Sequence, residues 1–133
     1  MSRIEWDEHR ALTILTLEGR IDPTDLVLFV RRLPSAGVTV RVLCDARTAH
    51  ADHLTEGDAR MVGAAIAESA ALLPATRVAL LTPADVSPAF GHIVGRVLHA
   101  CRGPLRVRTF TDRGAALSWA TSARPSSARL QRI

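Results

Sequence analysis

The chain contains no lysine, no asparagine and no tyrosine, and it has two cysteines, three phenylalanines and two tryptophans. Each scarcity excludes something. Cys44 and Cys101 stand at apolar positions in no ligand spacing, so they read as small core residues rather than a disulfide framework or a thiolate metal site. So few aromatic rings leave little for base stacking. No apolar run approaches the length of a membrane-spanning helix, and the charged start Met1–Arg10 is unlike a signal peptide. Both point to a cytoplasmic protein with no transmembrane segment. There is no Gly-rich phosphate loop, no nucleophile elbow and no paired-carboxylate pattern. The expectation is therefore no enzyme, no cofactor and no metal.

All seventeen basic residues are arginine, giving a net charge of +4 and a pI near 10.8. Lysine, asparagine and tyrosine share AT-rich codons, so their joint absence points to a GC-rich genome. Arginine also keeps its charge to very high pH, which inflates the pI. A nucleic-acid binder concentrates basic groups on one face. Here they read as scattered through every element, and no nucleic-acid partner is expected.

At 133 residues, 47% hydrophobic and 23% charged, the chain suits one domain with a substantial core. Ile4–His9 and Leu12–Glu18 alternate apolar and polar residues and predict a hairpin turning near His9–Arg10, with Gly19 closing it. Asp22-Pro23 predicts a helix start, with Leu26, Phe29, Val30 and Leu33 on one face and a stop before Pro34 and Gly37. Val38–Asp45 predicts a central strand and Ala46–Leu54 a loop. Thr55, with Asp58 three residues on, caps a second helix reaching about Leu73. Val78–Leu81 predicts a short buried strand, Ser87–Cys101 a third helix and Leu105–Phe110 an edge strand. A last helix runs from about Asp112 to Thr121, and residues 123–133 read as a basic, flexible tail. The order ββαβαβαβα is α/β: a mixed five-stranded sheet with its first strand antiparallel and four helices, in one domain over 1–122.

The segments Thr16-Leu-Glu-Gly-Arg-Ile-Asp22, Val42-Leu-Cys-Asp-Ala-Arg47, Arg77-Val-Ala-Leu-Leu81, Phe90-Gly91 and Thr109-Phe-Thr-Asp112, followed by Ala116 and Trp119, resemble the SpoIIAA-like proteins of the STAS superfamily. The superfamily is also described as similar to the CRAL-TRIO lipid-binding fold, and the resemblance spans residues 4 to 120. It implies a bacterial, regulatory and non-catalytic module that binds a protein partner, itself, or a small apolar or lipid-like ligand. Bacterial antagonists of the group open the helix after the third strand with an Asp-Ser-Ser-Gly-like motif, where a serine is phosphorylated. This chain departs from that pattern, reading Ala51-Asp-His-Leu-Thr-Glu-Gly-Asp58. Thr55 is the one hydroxyl at the helix start and the candidate phosphoacceptor. A plain cap is the stronger reading, since Asp52, Glu56 and Asp58 would repel a phosphate.

His50-Ala-Asp-His53 is the best chemical cluster, yet a three-residue separation in a loop fixes no metal geometry. Polar loop contacts are the simpler reading. His92, Arg96 and His99 form one helical stripe opposite the apolar face, so solvent is their expected neighbour. Phe90, with Ser87 and Gly91, is the candidate wall of an apolar ligand pocket beneath the third helix. Met61, Ala65 and Leu72 make a second apolar stripe on the second helix, and with Leu28 they are the candidate partner or self-association surface. A partner-binding module leads, a small apolar ligand or lipid binder comes second, and an enzyme third.

Overall fold

The computed structural model describes residues 2–7, 11–36, 41–73, 76–85, 87–100 and 105–122. The strands are β1 (Ser2–Asp7), β2 (Leu12–Arg20), β3 (Arg41–His50), β4 (Thr76–Leu81) and β5 (Leu105–Phe110). The helices are α1 (Pro23–Arg32), α2 (Glu56–Ala70), α3 (Pro88–Ala100) and α4 (Arg113–Thr121). One sheet runs in the order β1-β2-β3-β4-β5, with β1 antiparallel to β2 and every later pair parallel. Each crossover steps the same way, so right-handed connections place α1, α2 and α3 together on one face. They pack side by side there, while α4 covers β3, β4 and β5 on the other face.

Strand alternation divides the core between those faces. Leu12, Leu43, Ala79 and Leu81 meet Ala116 and Ala120 of α4. Leu15 and Val42 point the other way, against Phe29 of α1. The helices begin at side chains the sequence marks as caps. Asp22 accepts from the Thr24 amide at 2.9 Å. Thr55 and Asp58 close a reciprocal capping box at 3.1 and 2.9 Å. Ser87 Oγ accepts from the Phe90 amide at 3.1 Å, and Asp112 from the Ala115 amide at 2.8 Å.

Strand β1 opens at Ser2 and β4 at Thr76, each two residues before the expected start, and two further boundaries depart more consequentially. The expected loop Ala46–Leu54 is strand as far as His50, and β2 continues past Gly19 to pair with it. A bulge explains this: the register jumps from Thr16↔Asp45 to Glu18↔Thr48, so Ala46 and Arg47 oppose Leu17 alone. Pairing then resumes, with Ala49 facing the core and His50 solvent. The second correction is that α2 ends at Ala70, short of Leu73. The Leu72 amide bonds the Ser69 carbonyl and the Leu73 amide that of Ala70, three-residue spacings that tighten and close the helix. The turn near His9–Arg10, residues 38–40, Cys101 and the tail over 123–133 lie outside the described residues.

Candidate functional site

An apolar cavity of about 160 Å³ lies between the sheet and the α1–α3 layer. Leu15, Val42, Cys44, Val78 and Leu80 form its floor, with Phe29, Val62, Ile66, Phe90 and Val94 above. Alanines 46, 51 and 70 also border it, and their short side chains leave the volume unfilled. The few polar groups bordering it carry no charge. Buried Ser69 donates to the Val30 carbonyl at 2.9 Å, so its hydroxyl is satisfied. Burial pushes the Cys44 thiol up to about 12, and the Asp45 charge adds to the rise. A neutral thiol is a weak nucleophile, so Cys44 serves as wall.

No family model matches the chain, and no curated protein matches it. Among solved structures, an uncharacterised DUF3478-family protein with a SpoIIAA-like fold from Shewanella loihica PV-4 aligns with a TM-score of 0.56 at 17% identity, over 90% of this chain and 92% of that one. The chain has a SpoIIAA-like fold. At that identity the likeness is one of fold alone.

In this SpoIIAA-like chain Phe90 is buried and lines the cavity. The other two expected pocket residues do not. Ser87 is spent on capping α3, and Gly91 is exposed on it. The cavity extends beneath all three helices, with α1 and α2 contributing most of its roof. Periodicity identifies those residues as core, but it cannot distinguish a filled core from an unfilled one.

The expected partner surface divides. Leu28, Met61 and Leu72 are 54%, 40% and 73% exposed. Ala65 is fully buried against Val27, Val30 and Val62, which corrects its place on that surface. The cause is α1, which covers part of α2's second apolar stripe; Arg31 and Glu68 pair across the seam at 3.4 Å.

The histidine loop has a structural use. His53 Nε2 donates to the Ile21 carbonyl, and the Ile21 amide donates to the His50 carbonyl at 2.9 Å. Together they pin the start of α1 to the β3–α2 connection. Among the described residues no three His, Cys, Asp or Glu side chains are grouped to hold a metal. Thr55 Oγ1 is engaged in its capping box.

Two ionic clusters escaped the sequence reading. Glu56, in the first turn of α2, pairs with His92 and Arg96 of α3 and lies 3.5 Å from Arg60. Hydrogen bonds from Arg96 and His92 hold its carboxyl below the ordinary value despite some desolvation. The His92–Arg96 stripe therefore faces α2 as well as solvent. Side-by-side packing of consecutive crossover helices was the available signal. On the α4 face, Arg47 grips Asp45 through Nε and Nη2 at 3.1 and 3.0 Å. The bulge places both side chains there. No helix among the described residues is long and apolar enough to cross a membrane.

Proposed function

We propose that this SpoIIAA-like chain is a non-catalytic binding module that holds a small apolar ligand between its sheet and the α1–α3 layer. The uncharged cavity of about 160 Å³ carries this reading. An apolar void of about 150 Å³ stays dry and takes up benzene or xenon. Drug-sized ligands occupy about 300–1,000 Å³. The volume thus favours a ring-sized or short branched hydrocarbon over a whole lipid. Burial of apolar surface supplies the affinity, at about 25 cal/mol per Å². Native mass spectrometry with solvent extraction of the purified protein tests it. A single small apolar molecule bound one-to-one is expected. Protein at its bare sequence mass, taking up no added toluene, would contradict it.

A second reading is self-association through α1 and α2. It is favoured by three of the four exposed large apolar residues among the described residues, Leu28, Met61 and Leu72, lying on or just after those helices. Sedimentation is expected to show a concentration-dependent dimer that the M61E/L72E double variant abolishes. A wild-type chain that stays monomeric at every concentration would contradict it.

A further inference from the structure

Arg41, Arg77 and Arg106 stand in register across three adjacent parallel strands, Arg41 opposite Arg77 and Arg77 opposite Arg106. Directly paired residues on neighbouring strands share a face, with strands about 4.8 Å apart. The face is that of α4. Arg77 Nη1 donates to the Trp119 carbonyl at 2.9 Å and to the Ser122 carbonyl and hydroxyl at 3.3 and 2.8 Å. Arg108, two residues along β5 from Arg106, joins the same face and stacks on Phe110.

Like charges directly opposite one another destabilise a sheet. The Arg77 charge is disfavoured first by its burial and then by Arg106 and Arg41. Its bonds to the carbonyl end of α4 account for Arg77. They do not account for Arg106, which is exposed and pairs with no acidic side chain among the described residues.

The neighbouring sequence has the same bias. The described residues at this end of β3, β4, β5 and α4 are 41, 76–77, 105–108 and 121–122. Together they hold four arginines and no aspartate or glutamate. Four arginines that read as scattered along the chain are thus gathered at one end of the sheet.

We propose that the Arg41–Arg77–Arg106 row is a binding site for a phosphate group, presented by a soluble phosphate ester or by an anionic lipid headgroup. Guanidinium forks bind phosphate oxygens in pairs, and a dianion between them turns mutual repulsion into shared attraction. The site is on the opposite face of the sheet from the cavity and independent of it. Phe110 and Trp119 lie beneath Arg108 and Arg77, so neither ring is open for base stacking, and nucleic acid is disfavoured.

The test titrates wild type, R106Q and R20Q with inorganic pyrophosphate by calorimetry at low ionic strength. The same proteins are sedimented with phosphatidylcholine vesicles with and without phosphatidic acid. Arg20, at the opposite end of β2, controls for net charge. Wild type is expected to bind, R106Q to bind about tenfold more weakly or worse, and R20Q to match wild type. Binding of pyrophosphate marks a soluble source, and binding of phosphatidic acid vesicles alone marks a lipid one. Failure with both probes, retention of duplex DNA in place of both, or equal losses in R106Q and R20Q would overturn the site. Thermal melting of ligand-free R106Q separates a structural role. Relief of repulsion predicts an unchanged or raised Tm, and a lowered Tm would overturn the proposal.

Discussion

At the residue scale, Asp45 sets a pH dependence. Burial works to raise its carboxyl, but hydrogen bonds from the Arg47 side chain and backbone, with the charges of Arg47 and Arg113, outweigh it and hold it below the ordinary value. A carboxyl lowered by folding stabilises the native state above its unfolded pKa, and that contribution is lost as pH falls through the folded pKa. The pair is partly exposed, so its worth is under about 1 kcal/mol. Urea unfolding of R47Q across pH is expected to show lower stability than wild type at neutral pH, with the two converging below the carboxylate range. A difference that does not change with pH would contradict this. Cys44 as an inert core thiol was legible in the sequence. The Asp45–Arg47 grip was not, because a bulge between two strands whose paired residues lie 29 or 30 positions apart in sequence decides which face they share.

At the element scale, starts were more legible than ends. Asp22, Thr55, Ser87 and Asp112 each cap the helix the sequence assigned to them. A cap is a local device, written in four consecutive residues. The end of α2 and the extension of β3 depend on partners elsewhere in the chain, and local pattern misplaced both. Ala65 shows the same limit, since the stripe it belongs to is visible while the helix covering it is not. The Thr55–Asp58 box yields a prediction. T55A is expected to lower stability by about 1 kcal/mol in chemical denaturation, and T55S to retain most of it. Equal stability of T55A and wild type would show that the box contributes nothing to α2.

At the scale of the whole molecule, the sequential strand order with right-handed crossovers places three helices on one face, and α4 packs on the other. The element order was readable, with the antiparallel first strand and β5 at the sheet edge, but the strand order and the face of each helix were not. The cavity and the arginine row were not readable. One depends on volumes summed over α1, α2, α3 and the sheet, and the other on strand register between segments far apart in sequence. The ligand reading rests on the first of these. Ala46 is buried and borders the cavity, so A46L adds carbon to empty space at little cost in strain. Methyl NMR during toluene titration of wild type and A46L is the most direct measurement. Resonances of Leu15, Val42, Val78 and Leu80 are expected to shift saturably in wild type and to stay unmoved in a folded A46L. Absence of shifts in wild type, or equal shifts in A46L, would contradict a ligand-holding cavity.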